Sequence, residues 1–202
     1  EELVSSYLLK DIFAFEQIRH PRTLLDLLKL LAFQAGSEVT FHELAMQLNI
    51  NVRTVERYLD LLEKTFVIFR LGALSRNLRN EVRNKQKYYF YDTGVRNAII
   101  SQFNSLSLRD DIGKLWENFV IAERLKYRSY HETYGISYFW RTYEQQEIDL
   151  IEEKDGHFNA YEMKWKDGKR AKLPAAFSNN YPDHTFSVID SENYLEYVAP
   201  MV

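Results

Sequence analysis

Two strand-like segments joined by Asp155-Gly156 constrain the fold of this chain more than any other feature. Residues 147–152 and 158–165 are apolar and aromatic residues interspersed with polar ones. An Asp-Gly pair between two such segments is typical of a two-residue turn with positive φ angles. The pattern therefore predicts an antiparallel β-hairpin in the C-terminal half of the chain.

The elements predicted around this hairpin follow the order helix, three strands, helix, strand. Beside the hairpin itself, they are a helix at 113–125, a strand at 136–142, a short helix at 173–179 and a strand at 185–189. Apolar residues three or four apart indicate the helices, and β-prone segments indicate the strands. The C-terminal half is therefore predicted to be a domain of αβββαβ topology.

The predicted hairpin brings three charged side chains together. Because side chains alternate along a strand, Glu162 and Lys164 lie on one face of the second strand and Met163 lies on the other. Asp149, on the first strand, can meet Glu162 across the pair. Carboxylates suit Mg²⁺ and Mn²⁺, and an ion of this kind activates water while a lysine positions the nucleophile. The pattern therefore predicts a metal-dependent site for phosphodiester hydrolysis.

Two neighbouring features favour the same interpretation. Glu117 lies within one turn of the predicted apolar face of the helix at 113–125. This face comprises Leu115, Phe119, Ala122 and the region of Leu125 and Lys126. A basic stretch follows the strand that carries Glu162, and its members are Lys164, Lys166, Lys169, Arg170 and Lys172. Clustered lysine and arginine neutralise phosphates, so this stretch is expected to meet nucleic acid.

The N-terminal half has the signals of a winged helix. A helix at 23–33 is followed by two further helices, opened by a capping box at Thr40 and Glu43 and by a cap at Asn51. Two helices joined by a turn of about three residues form a helix-turn-helix. A strand, a basic loop and a second strand then follow over 66–91, which is the arrangement of a wing. Asp92 is expected to cap the next helix.

We therefore predict three segments, of which the winged helix has two open interpretations. A helical linker spans 1–20, the winged helix 21–92 and the αβββαβ domain 93–202. The helix that follows Asn51 has a mixed charged face, which favours packing or protein contact. The basic loop favours DNA contact instead. The predicted DNA-binding residues of the whole chain are Arg53, Arg57, Arg76, Arg79, Arg83, Lys85, Lys87, Lys166, Lys169 and Arg170.

Composition excludes several classes of protein. The chain of 202 residues contains no cysteine, which rules out disulfides and cysteine metal sites, and its five histidines show no ligand spacing. No apolar stretch is long enough to span a membrane, and no signal peptide is apparent, so a cytoplasmic location is expected. The net charge of −3 does not by itself indicate nucleic acid. The first residue is Glu1 rather than Met, which we interpret as the start of a piece of a longer protein.

The combined motifs resemble the DUF4143 family, over most of residues 20–190. They are KYYFYDTGVR at 87–96, GxLxENFVxxE at 113–123, YxWRT at 138–142, EID at 147–149 and EMK at 162–164. That family forms the C-terminal region of prokaryotic AAA-type ATPases. In those proteins a P-loop ATPase domain precedes a winged helix and a PD-(D/E)xK nuclease-like domain, similar to archaeal Holliday-junction resolvases.

This resemblance assigns roles to the predicted site residues. It implies that Asp149 and Glu162 bind Mg²⁺ or Mn²⁺, and that Lys164 and Glu117 are catalytic. Glu147 matches the Glu-x-Asp pattern as a support for the ligands or as an alternative ligand. The fold class is then α+β or α/β, with a winged helix followed by a restriction-endonuclease-like domain. No P-loop motif occurs in the chain, so ATP is expected only in an ATPase domain outside it.

Three functional hypotheses follow. The first is a metal-dependent nuclease that acts on DNA together with a winged helix. The second is an inactive nuclease-fold module that binds DNA or protein and regulates the ATPase. The third is a sequence-specific DNA reader that uses residues 40–87. DNA and a second copy of the chain are the expected partners, and no small-molecule substrate is evident.

Overall fold

The computed structural model describes residues 20–75, 85–166 and 171–199. Within these ranges the chain has a mixed α+β fold with seven α-helices and seven strands. Its contacts divide it into two compact units, one of residues 20–70 and 87–109 and the other of residues 71–75, 85–86 and 110–199. The predicted linker helix and most of the basic loop, at 1–19 and 76–84, lie outside the described residues.

The first unit has the element order helix, strand, two helices, two strands, helix. These elements are α1 (Pro21–Phe33), β1 (Glu38–Val39), α2 (Phe41–Leu48), α3 (Val52–Lys64), β2 (Ile68–Ala73), β3 (Gln86–Phe90) and α4 (Thr93–Ile99). The strands are ordered β1-β3-β2. The last helix belongs to this unit, so the compact unit ends at Arg109 rather than at the expected boundary after 92.

Local capping signals set where these helices begin. Thr40 accepts a hydrogen bond from the Glu43 backbone N–H, and the Glu43 carboxylate accepts one from the Thr40 N–H, which is the predicted capping box. The Asn51 side chain accepts from the Thr54 N–H at 2.8 Å and so caps α3. Asp92 caps α4 in the same way, through the Val95 N–H. All three predicted caps are confirmed.

The core of the first unit lies between α1 and the two helices that follow it. The buried face of α1 includes Leu24, Leu27 and Leu28, and that of α3 includes Leu59 and Leu62. Burying an aliphatic side chain of this kind contributes about 1.5–3 kcal/mol. This apolar layer holds α3 in place, which leaves Arg53 and Arg57 on its exposed face.

The second unit has the predicted αβββαβ order, extended by one short helix. Its elements are α5 (Ile112–Tyr130), β4 (Ile136–Arg141), β5 (Glu147–Lys154), β6 (His157–Met163), α6 (Ala175–Asn180), β7 (His184–Ile189) and α7 (Tyr194–Val198). Strands β4, β5 and β6 are antiparallel, and β7 runs parallel to β6. Gly72 and Ala73, at the end of β2, pair with β4 in parallel.

The hairpin that dominates the sequence forms as predicted. Lys154 pairs with His157, so that only Asp155 and Gly156 make the turn. Their φ angles are 54° and 86°. Two successive positive φ angles define a type I′ turn, whose twist matches that of the flanking strands. The turn therefore sets the register between β5 and β6.

The apolar face of α5 differs from the prediction. Ala122 is buried as expected, but Leu115 and Phe119 are only half-buried, and the buried positions include Trp116, Val120 and Ile121. The face is thus turned by about one residue, or about 100° around the helix. The aromatic side chain of Trp116 buries more surface than Leu115 can, which favours this orientation.

A buried ion network joins α5 to the sheet. Arg124 donates to both carboxylate oxygens of Glu152, at 3.0 and 2.9 Å, and to the backbone carbonyl of Tyr197 at 2.8 Å. Arg128 also contacts Glu152 and donates to Ser137 Oγ. No local sequence pattern predicts this network, because its members are far apart along the chain.

No helix within residues 20–75, 85–166 and 171–199 combines the length and the apolar character that crossing a lipid bilayer requires.

Candidate active site

A cavity of about 430 Å³ in the second unit collects most of the predicted site residues. The charged and aromatic residues that line it are Glu117, Asp149, Lys164, Lys114, Lys166 and Trp165. Glu117 and Lys114 come from the first turns of α5, Asp149 comes from β5, and the others follow the end of β6. Acidic and basic groups from three separate parts of the chain therefore meet at one cavity.

Asp149 is held in place by the backbone of the neighbouring strand. Its Oδ2 accepts a hydrogen bond from the Met163 N–H at 2.8 Å, and only 8% of the residue is exposed. The backbone pairing of β5 with β6 extends to Leu150 and Tyr161. One residue past Leu150, the Asp149 carboxylate accepts the Met163 N–H in place of a backbone carbonyl. This hydrogen bond orients Asp149 at the wall of the cavity.

Glu162 and Lys164 form an ion pair at the same edge. Lys164 Nζ lies 2.5 Å from Glu162 Oε1, consistent with their predicted position on one face. Burial alone would lower the pKa of Lys164, but the hydrogen bond to Glu162 and the charges of Glu162, Asp149 and Glu117 raise it. Lys164 is therefore a stable ammonium at neutral pH, and the three predicted carboxylates, Glu117, Asp149 and Glu162, all stabilise its charge.

The acidic side chains offer the oxygen ligands that Mg²⁺ and Mn²⁺ prefer. Among the described residues, no group of three or more His, Asp or Glu side chains is arranged to hold a metal ion. Glu117 and Asp149 line the cavity, whereas Glu162 is engaged by Lys164. Mg²⁺ commonly binds through one or two carboxylates and keeps several waters. The donors present fit such a hydrated ion rather than an enclosed three-carboxylate cage.

Glu147, which the resemblance implies as a support for the ligands or as an alternative ligand, forms an ion pair with an arginine. It pairs with Arg141 across β4 and β5, with a distance of 3.6 Å between Arg141 Nη1 and Glu147 Oε2. It is not among the residues that line the cavity. Its carboxylate, at the start of β5, therefore forms an ion pair with the arginine that ends β4.

The predicted DNA-binding residues divide into three groups. Arg53, Arg57 and Lys166 are exposed, and Lys85 is half-buried. Lys87 is only 1% exposed, so it offers no surface to a phosphate. Its place in β3, whose residues from Lys87 to Phe90 are all buried, explains this difference from the prediction. The remaining five, which lie outside the described residues, are Arg76, Arg79, Arg83, Lys169 and Arg170.

The sequence analysis overlooked Trp165 as a member of the site. The Trp165 ring is half-buried and packs edge-on against Trp116, with 5.3 Å between ring centroids and an interplanar angle of 67°. Trp116 is itself held by an edge contact with Tyr194. Trp140 belongs to the YxWRT motif at 138–142. Trp140 is fully buried. The position of Trp165 directly after Lys164 was the one sequence feature that could have indicated its place in the site.

Two similar proteins come from mycobacteria. They are the uncharacterized protein Rv2008c of Mycobacterium tuberculosis and the uncharacterized protein Mb2031c of Mycobacterium bovis. Each is 29% identical over 137 residues, which cover 67% of this chain and 30% of the relative. The match thus spans less than a third of the length of these relatives. No solved structure matches the chain.

Two family descriptions divide the chain near the boundary of its compact units. Residues 112–198 match the domain of unknown function DUF4143, and residues 1–106 match the domain of unknown function DUF8612. The resemblance to DUF4143 is therefore confirmed for the C-terminal half, whereas the part expected before residue 112 matches a different family. The chain belongs to the DUF8612 family through its N-terminal half and carries a DUF4143 domain in its C-terminal half.

Proposed function

We propose that the second unit is a divalent-metal-dependent phosphodiesterase that acts on DNA, of the PD-(D/E)xK nuclease type. The observation that carries the proposal is that Glu117, Asp149 and Lys164 line one cavity, with Glu162 paired to Lys164. The αβββαβ order of the unit supports the same fold type. Two or three carboxylates that hold a metal ion, beside an ammonium, can activate water and stabilise the negative charge that develops in phosphodiester hydrolysis.

Each residue has a distinct part in this proposal. Asp149, together with Glu117 or Glu162, would hold Mg²⁺ or Mn²⁺, and the bound ion supplies an activated water and polarises the phosphate. The Met163 N–H keeps the Asp149 carboxylate oriented toward the cavity. Lys164 stays protonated because its pKa is raised, so its ammonium can donate to a phosphate oxygen and stabilise developing negative charge.

The first unit is proposed to be a winged helix that engages DNA. Its order of helix, strand, helix, helix, strand, strand supports this, as do the exposed Arg53 and Arg57 on α3. Contacts of this kind neutralise phosphates and lose strength as salt rises. ATP binding is proposed to reside in a domain outside this chain, in a longer protein of the AAA type.

Cleavage of labelled DNA tests the proposed site directly. We expect the whole chain, with Mn²⁺, to cut at least one of duplex, single-stranded and branched DNA, and Lys164→Ala to slow cleavage about 100-fold or more. The matched control is Lys154→Ala, which removes an exposed lysine at the end of β5 outside the cavity lining. Equal rates for the wild type and Lys164→Ala would refute the assignment.

A second candidate function is an inactive nuclease-fold module that binds DNA or protein. It is favoured by the engagement of Lys164 with Glu162 and by the lack of a three-carboxylate cluster among the described residues. Calorimetry with Mn²⁺ separates the two functions. Metal binding that Asp149→Asn abolishes supports the nuclease, whereas no binding and no cleavage of any substrate supports the module.

A further inference from the structure

Trp165 is an aromatic residue that packs against Trp116 and also lines the cavity. Trp116 packs against it edge-on and is in turn held by Tyr194 and by a hydrogen bond from its Nε1 to the Ile189 carbonyl at 3.4 Å. Trp116 is buried, but Trp165 is only half-buried and lines the cavity. The ring is therefore oriented before any ligand binds, which lowers the entropy lost on binding.

The cavity beside this ring carries charge of both signs, because Glu117 and Asp149 line it together with lysines. Three lysines line it, and two of them, Lys114 and Lys166, are exposed to solvent. Ammonium groups neutralise phosphates, and an aromatic ring beside them stacks on a base, which together are the two contacts that bind single-stranded nucleic acid. The cavity volume of about 430 Å³ lies in the range of sites for small ligands, so it is large enough to take a nucleotide.

Whether a base can stack on the Trp165 ring depends on whether that base is paired in a duplex. In a duplex both faces of each base are covered by neighbouring bases, and stacking on a protein ring requires a few kcal/mol to unstack them. An unpaired nucleotide presents its base without most of that cost. A half-buried tryptophan beside exposed lysines thus gains binding free energy mainly from unpaired nucleotides.

We infer that Trp165 is a stacking platform for an unpaired base, so that the site prefers DNA with single-stranded nucleotides beside the phosphate it engages. This inference rests on the proposed function of the same cavity and names its substrate class. Trp165 is a specificity-determining residue in this scheme. Trp140 has no such role, because it is fully buried in the core with Phe177.

Metal-free DNA binding tests the inference without requiring cleavage. Fluorescence anisotropy with a labelled strand of 20 thymidines, in EDTA, gives the Kd of the whole chain. We expect Trp165→Leu to raise the Kd about tenfold, since stacking contributes roughly 1–3 kcal/mol per base, and Trp165→Phe to remain near the wild type. The matched control is Tyr134→Leu, which removes an aromatic residue that is 79% exposed and outside the cavity lining.

A strand of abasic sugar phosphates separates stacking from a general effect on the fold. It keeps every phosphate but has no base, so the wild type and Trp165→Leu should bind it equally. A Kd that Trp165→Leu leaves unchanged on thymidine, or raises equally on the abasic strand, would overturn the inference. If Trp165→Leu fails to fold, quenching of tryptophan fluorescence by the thymidine strand decides. Quenching in the wild type that is no larger than in Trp165→Phe would also overturn it.

The two proposals fail separately in these experiments. If DNA binding in EDTA depends on Trp165 but no DNA is cleaved in Mn²⁺, the stacking role of Trp165 is supported and the nuclease function is refuted. If duplex and single-stranded DNA are cleaved at equal rates and Trp165→Leu does not change the Kd, the nuclease function is supported and the stacking role of Trp165 is refuted.

Discussion

At the scale of single residues, Asp149 has two roles: it stabilises the local backbone and it lines the proposed active site. Its carboxylate accepts the Met163 N–H and also borders the cavity that Lys164 lines. A buried N–H that loses its acceptor costs about 1–3 kcal/mol. Asparagine keeps an acceptor oxygen and removes the charge, which makes Asp149→Asn a better probe of the site than Asp149→Ala.

Tyr161 provides a test of stability against pH. Burial, followed by the charge of Glu152, raises its pKa to about 12, whereas an unfolded tyrosine ionises near pH 10. The folded state holds the proton more tightly, so this stabilisation is complete below pH 10 and is lost as pH rises toward 12. Between pH 9 and 11 we expect the wild type to lose about 1 kcal/mol more than Tyr161→Phe, after allowance for solvent screening.

Urea unfolding followed by tryptophan fluorescence at pH 9 and pH 11 measures this difference. Lysines and the tyrosines distant from residue 161 titrate in both proteins, so their contributions cancel in the comparison. The difference that remains belongs to Tyr161 and to its coupling with the neighbouring Tyr197. Parallel loss of stability in the wild type and in Tyr161→Phe would contradict the expectation.

At the scale of elements, local signals predicted the structure well. The caps at Thr40, Asn51 and Asp92 act within three residues, and each forms the predicted hydrogen bond. The turn at Asp155-Gly156 depends only on two backbone conformations. The apolar face of α5 was predicted less well, because it depends on which distant residues pack against the helix.

Gly156→Ala tests the hairpin turn. The φ angle of Gly156 is 86°, a conformation that L-residues rarely adopt, although an added Cβ would meet no atom within 4 Å. The cost is therefore purely conformational, and we expect a loss of about 1 kcal/mol in the free energy of unfolding. The measurement is urea denaturation followed by tryptophan fluorescence.

The matched control is Gly113→Ala, near the start of α5. There an added Cβ also meets no atom within 4 Å, and the helix favours alanine by about 0.5–1 kcal/mol. The two variants should therefore shift stability in opposite directions. A loss at both positions would show that the turn conformation is not the cause.

At the scale of the whole molecule, the chain passes between its two compact units more than once. Residues 71–75 belong to the second unit together with 110–199. The residues before and after this part of the chain, up to 70 and from 87 to 109, belong to the first unit. Leu74 packs in the core around Trp140, and its N–H donates to the Phe139 carbonyl at 2.8 Å. The second unit is therefore not contained in a single stretch of sequence.

A fragment of residues 110–202 should for this reason be less stable than the second unit of the whole chain. It lacks the pairing of Gly72 and Ala73 with β4 and the buried Leu74. All three tryptophans lie in residues 110–199, so their fluorescence during urea unfolding reports on this unit alone. We expect a lower midpoint for the fragment. In the whole chain, Leu74→Ala should cost about 2–4 kcal/mol. Equal midpoints for the fragment and the whole chain would contradict this account.

Interactions between residues close together in the sequence account for what could be predicted without a structure. Caps, turn conformation and strand alternation involve residues within a few positions of each other, so they predicted the element order and the shared face of Glu162 and Lys164. Long-range packing set the rest. It buried Lys87, joined Arg124 to Glu152, paired Glu147 with Arg141 and brought Trp165 to the cavity. These contacts depend on which distant strands and helices become neighbours, and no local pattern specifies that.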